Sequence, residues 1–214
     1  MSARDFGPRP RLVDGPLPVK TAHGLGSAMA RGLLRLFGWR LRYDGLPGLQ
    51  GVIMVYPHTS NWDFVIGILA KWAFGLKVRF WAKDSLFKVP VFGGWVRAIG
   101  GIAVNRSSSH GLVGGTVEQL DAARARGELF WLAAAPEGTR SLASGWRSGA
   151  YQVALQARVP VGLAYFDFAE KVIGLHCFVS LGGDPQADLA LMAEHLAPRR
   201  GQKPELASPI RLRS

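Results

Sequence analysis

Cysteine is almost missing from this sequence: Cys177 stands alone in 214 residues. That excludes an internal disulfide and any cysteine-rich metal site, and it fits a reduced compartment. Cys177 follows His176 in an apolar run, which predicts a buried strand position. Long hydrophobic runs are missing too. No stretch reaches the roughly 18 uninterrupted apolar residues of a membrane span. The best candidate, FVIGILAKWAFGL, is short and carries Lys71. The first twenty residues are polar and Pro-rich, without the apolar core of a secretory signal. The expectation is a chain that stays in the cytosol or meets the cell membrane from its cytoplasmic side, as a peripheral or monotopic protein. Acidic residues are also scarce, with 15 Asp and Glu against 26 Lys and Arg, a net charge of +11. Such an excess attracts nucleic acid, anionic membranes or phosphorylated small molecules. No RNA-binding signature or zinc spacing favours nucleic acid.

What is present is a chain of 48% hydrophobic residues, long enough for one domain with a sizeable core. Residues 1–20 read as a loose basic arm. HGLGSAMARGLLRLFGWRLR then predicts an amphipathic helix, with Leu25, Met29, Leu33 and Leu36 on one face and Arg31 and Arg35 roughly opposite. Such a basic helix suits a membrane surface; it equally suits packing on the domain core. Beyond it, strands are predicted at 51–56, 77–83, 100–106, 128–135, 159–168 and 170–179. Helices are predicted at 61–74, 110–126, 148–157 and 184–197. In the second of these helices, 110–126, Val113, Val117 and Leu120 form one apolar face. Alternating strands and helices imply an α/β fold with a largely parallel sheet. The last two strands follow so closely that they predict a hairpin, which makes the sheet mixed. After Pro198 no pattern is evident.

Three strand ends carry polar clusters. YPHTSNWDF follows the first buried strand. Ser60 and Asp63 have the spacing of a capping box, so Asp63 could simply cap the next helix. The same spacing lets the Asp63 carboxylate reach one nitrogen of His58 and leave the other free to take a proton from a substrate hydroxyl. APEGTRS follows the strand at 128–135. Its turn backbone and Arg140 suit an anionic group such as phosphate; alternatively it is a surface turn with a Glu137–Arg140 ion pair. GGIAVNRS places Arg106 at a third strand end.

Taken in order, His-x4-Asp after a strand, GGIAVNR, PEGTRS with WRSGAY, and VPVGLAY resemble the glycerolipid acyltransferases, and more narrowly the 1-acylglycerol-3-phosphate acyltransferase-like proteins. The likeness runs from about Leu41 to Gly182. It implies an α/β single domain at 41–214, with a mixed, largely parallel sheet flanked by helices, preceded by a membrane-contacting segment at 1–40. It implies His58 as general base on the acceptor hydroxyl and Asp63 as its orienting partner. Arg106 would help hold the acceptor phosphate. Glu137, Gly138, Thr139 and Arg140 would shape that phosphate site, with Arg140 its main charge contact. Pro160 would shape the acyl-donor side. Family members often carry a bulky residue where this chain has Ala103 and a second proline where it has Leu163; both departures touch substrate preference. The implied reaction moves a fatty acyl group from acyl-CoA or acyl carrier protein to the free hydroxyl of a lysophospholipid, 1-acylglycerol-3-phosphate, giving phosphatidate. It needs no resident cofactor or metal. The implied partners are these substrates and an anionic membrane surface, and no nucleic acid. The alternatives are another lysolipid acceptor, or a basic lipid-binding protein without catalysis.

Overall fold

A computed structural model describes residues 9–21, 24–104 and 109–213. The short apolar runs become the centre of an eight-stranded sheet: β1 (Arg11–Leu12), β2 (Arg40–Tyr43), β3 (Gln50–Val55), β4 (Val78–Lys83), β5 (Gly101–Val104), β6 (Phe130–Ala134), β7 (Val161–Asp167) and β8 (Val172–Ser180). Their order is β1-β8-β7-β3-β6-β4-β5, with β2 also paired to β8. From β7 through β3, β6 and β4 to β5 every neighbour is parallel. β7 and β8 form the expected antiparallel hairpin, with a bulge at Leu163/Ala164. Cys177 lies on β8, partly buried, and burial pushes its thiol up to about 11.

Helices cover both faces: α1 (Leu25–Leu36), α2 (Trp62–Ala73), α3 (Phe92–Ala98), α4 (Ser109–Ala125), α5 (Gly149–Gln156) and α6 (Pro185–Leu196). The two-residue period of the strands divides the core. Val52, Met54, Leu132, Leu163 and Tyr165 join the cluster containing residues of α4, α5 and α6. Ile53, Trp131, Ala164 and Phe166 join the cluster containing residues of α1 and α2. On α4, Leu120 is fully buried and Val113 and Val117 pack beside it, as their spacing predicts.

The N-terminal region departs from expectation. The helix ends at Leu36 rather than running to Arg42. Gly38 at φ +81 and the bonds Gly38 N–H to Arg35 O and Trp39 N–H to Leu34 O close it as a Schellman turn. Arg40–Tyr43 then extends along β8 as a parallel strand. The expected loose arm is partly tied down, because Arg11 and Leu12 pair with Ser180 and Val179 and Val19 bridges Leu46. Backbone pairing, which no side-chain periodicity reports, decided both. On α1 the predicted apolar face points outward. Leu25, Met29 and Leu36 are 86%, 75% and 79% exposed, whereas Ser27, Ala30 and Leu34 form the buried face and the helix packs on α2.

Candidate active site

Parallel strands deliver their C-terminal ends to one edge, and β3 and β6 are neighbours in register, Met54 beside Ala134. The two turns that follow them are therefore side by side, the arrangement in which open α/β sheets bind ligands. His58 stands in the turn after β3, and Pro136 to Arg140 in the turn after β6.

The first turn is fixed by one carboxylate. Asp63, 2% exposed in the first turn of α2, accepts the backbone N–H groups of Thr59 (2.7 Å) and Ser60 (2.9 Å) at Oδ2. The same oxygen lies 3.3 Å from His58 Nδ1. The carboxylate oxygen that binds the two backbone N–H groups is thus also the one beside the imidazole. The Ser60 hydroxyl accepts the N–H of Trp62, while Asn61 is the helix cap. The other oxygen, Oδ1, is buried and accepts no hydrogen bond from the described residues.

The second turn is fixed from inside by Glu137. The side chain is fully buried, with Oε1 accepting the His58 N–H (2.6 Å) and Oε2 accepting the Ser208 N–H (2.9 Å). Burial raises its pKa above the ordinary carboxylate value, against the pull of these hydrogen bonds and of the nearby His58. The surface ion pair with Arg140 that the sequence allowed does not form; Glu137 holds two backbone segments together instead. Gly138 takes φ +65, a left-handed conformation that costs other residues about 1–2 kcal/mol. A Cβ there would also lie 2.6 Å from Arg147 Cδ and Nε. Thr139 Oγ1 accepts the N–H of Ser141, which tightens the turn.

Two cavities meet at this edge. One, of about 210 Å³, is apolar and runs under α2, lined by Phe64, Gly67, Phe74, Phe80, Phe166 and Leu175 among others. The second, of about 1060 Å³, is polar and is lined by Gly138, Thr139, Arg140, Arg147, Arg213 and the N-terminus of α5. Among the described residues, no Asp or Glu lines it. His58, Trp81, Ala134 and Ala135 line both. A histidine with one nitrogen 3.3 Å from a carboxylate, between an apolar slot and a cationic basin, can accept a proton from a polar molecule whose reaction partner is apolar.

Of the residues singled out in the sequence, His58, Asp63, Glu137, Gly138, Thr139 and Arg140 come together here. Arg106 lies outside the described residues. Pro160 is not brought to the site. It precedes β7, where its carbonyl accepts the Val52 N–H, at the end of the sheet opposite His58. Leu163 is buried in the core and lines neither cavity. Sequence reasoning missed Arg147, Arg213 and the tail that carries Arg213. Arg147 was within sight in WRSGAY; Arg213 had no signal at all.

The sequence profile of the Acyltransferase family matches residues 41–162. Comparison with curated proteins returns no match. Among solved structures, the fold is similar to the crystal structure of PlsC, the 1-acyl-sn-glycerophosphate (LPA) acyltransferase from Thermotoga maritima. The TM-score is 0.52 and the sequence identity 17%, over 80% of this chain and 75% of that one.

Proposed function

The chain belongs to the acyltransferase family, whose profile spans more than half of it, and on that premise we propose that it moves a fatty acyl group from an acyl thioester to the free hydroxyl of a lysophospholipid, 1-acylglycerol-3-phosphate, giving phosphatidate. The observation that carries the reading is the place of His58 between the apolar and the arginine-lined cavities. The acyl chain enters the apolar slot, the anionic headgroup enters the basin, and the hydroxyl and thioester carbonyl meet at the imidazole.

An alcohol is a poor nucleophile at neutral pH, so the acceptor O–H donates to His58 Nε2 and its proton moves there as the oxygen attacks the carbonyl carbon. Asp63 at Nδ1 stabilises the imidazolium that forms. The tetrahedral intermediate collapses, the C–S bond breaks, and the proton on Nε2 passes to the departing thiolate. The thioester is already activated, so neither a covalent enzyme intermediate nor a resident cofactor is needed. Arginines on the phosphate fix the acceptor so that its hydroxyl faces the base.

The substrates are amphiphiles, and the surface offers a place to meet them. Phe64 lines the apolar slot and is itself partly exposed, and its ring contacts Trp95 of α3 at 6.4 Å. Trp62, Trp72 and Trp95 are all exposed, and so is the row Leu25, Met29 and Leu36 on α1. Among the described residues no helix is long and apolar enough to cross a membrane. The reading is therefore attachment through α1 and the aromatic patch of α2 and α3, aided by the basic charge on anionic lipid.

The test is thiol release from long-chain acyl-CoA and acyl carrier protein thioesters with lysophosphatidate and other lysolipids, products identified by mass. Phosphatidate from the wild type and none from His58→Ala supports the reading. Undiminished turnover in His58→Ala overturns the mechanism, and a different preferred lysolipid overturns the acceptor.

A further inference from the structure

Residues 198–213 lie beyond the family match, yet they lace the two turns of the site together. Lys203 N–H donates to Thr59 Oγ1 (3.2 Å), next to His58. Gly201 packs so closely that a Cβ would lie 2.6 Å from the same hydroxyl. Ser208 N–H donates to Glu137. Trp146 N–H donates to Arg211 O (2.7 Å) and Arg213 N–H to Trp146 O (2.9 Å), a short parallel bridge. This strap ends by placing Arg213 in the wall of the polar cavity.

We propose that Arg213 is an anion-binding residue of that cavity and, with Arg140 and Arg147, binds the phosphomonoester group of a substrate. The acyltransferase reading supplies the substrate's identity; the anion binding stands on the cavity itself. Arg213 is aimed and held. Its Nε donates to Gly145 O (2.7 Å) and its Nη2 to Glu137 O (2.5 Å). Those bonds use two of the five guanidinium N–H donors and leave three for a ligand. Among the described residues, no carboxylate lies within ion-pair distance of Arg140, Arg147 or Arg213. Three guanidinium groups around one basin, with no counter-charge among the described residues, repel one another unless an anion enters. Ser148, Gly149 and Ala150 line the same basin at the start of α5, so the first-turn N–H groups add to the positive field. Phosphate is the anion whose several oxygens such forked donors fit.

Both substrates can carry a phosphomonoester: the lysolipid acceptor at its headgroup, and acyl-CoA at its ribose. Kinetics of Arg213→Ala, →Lys and →Gln separate them, with lysophosphatidate against monoacylglycerol as acceptor and acyl-CoA against acyl-dephospho-CoA as donor. Calorimetry with glycerol 3-phosphate gives a readout that needs no turnover, and Arg126→Ala, on the exposed Arg126–Glu128 pair, controls for lost charge. Arg213→Ala is expected to raise KM for the phosphate-bearing partner about ten- to hundred-fold and to leave the phosphate-free partner within about twofold. The partner whose KM moves is the source of the phosphate. Arg213→Lys is expected to fall between wild type and Arg213→Gln, since it keeps the charge and loses the fork. Equal losses on phosphate-bearing and phosphate-free substrates, or identical behaviour of the Lys and Gln variants, overturn the proposal and leave Arg213 a brace for the turn. Arg213-dependent binding of glycerol 3-phosphate by a wild type that turns over no thioester retains the proposal and overturns the acyltransferase reading.

Discussion

Glu137 Oε1 accepts a hydrogen bond from the backbone N–H of His58 at 2.6 Å, across 79 residues of sequence. The glutamate is not a wall of the basin. It locks the turn bearing His58 to the turn bearing Arg140, and through Ser208 to the C-terminal strap.

That lock has a pH dependence of defined sign. The folded pKa of Glu137 is raised, chiefly by burial, so the fold favours its protonated form. Its contribution to stability is fully present below the unfolded value of about 4.3 and is lost as pH rises through the higher folded value. Urea unfolding of wild type and Glu137→Gln from pH 4 to 8 checks this. The wild type should lose stability relative to the Gln variant as pH rises; a flat difference would sink the idea.

The capping by Asp63 and its proposed role beside His58 can be separated by substitution. Asp63→Asn keeps an oxygen for the Thr59 and Ser60 N–H groups and loses the charge beside His58. It should retain its melting temperature and lose turnover. Asp63→Ala should lose both, with a capping cost of about 0.5–2 kcal/mol. His58→Ala should leave stability unchanged and lower kcat by about 10²- to 10⁴-fold. Thermal melts alongside steady-state kinetics distinguish the three variants.

Gly138→Ala should be damaging out of proportion to its size. The methyl group meets the Arg147 side chain, and the residue is held at φ +65. The expected result is about 1–2 kcal/mol of lost stability and a raised KM for a phosphate-bearing acceptor. A Gly138→Ala protein with wild-type KM would show that Arg147 has no part in that site.

The proposed membrane attachment through α1 uses residues that the core does not need. Leu25, Met29 and Leu36 are exposed, so replacing all three with Ser should leave the melting temperature within a few degrees. Co-sedimentation with anionic vesicles should fall sharply and acyl transfer between water-soluble short-chain substrates should persist. Unchanged sedimentation would assign attachment elsewhere.

Most of the sheet was legible because each buried strand is a short apolar run and each helix repeats at 3.6 residues; β3, β6 and the β7–β8 hairpin are examples. His58 and Asp63 were legible as a pair because they stand close in the chain, on either side of the start of α2. Short elements were not. β1, β2 and α3 have too few residues to show a period, and β2 exists only because β8 offers it an edge.

By itself the sequence determined the α/β class, the order of the strand-end clusters and the local His58–Asp63 pair, since all of these depend on neighbours in the chain. Only the tertiary structure decided that Glu137 would turn inward to hold His58, that the α1 apolar row would face out, and that a patternless tail would bring Arg213 to the basin. Hydrogen bonds between segments 71 to 144 residues apart fix the first and the last of these, and packing of Ala30 and Leu34 in the core beside α2 fixes the second. Such hydrogen bonds leave no periodic trace in a single sequence, because any backbone N–H can make them.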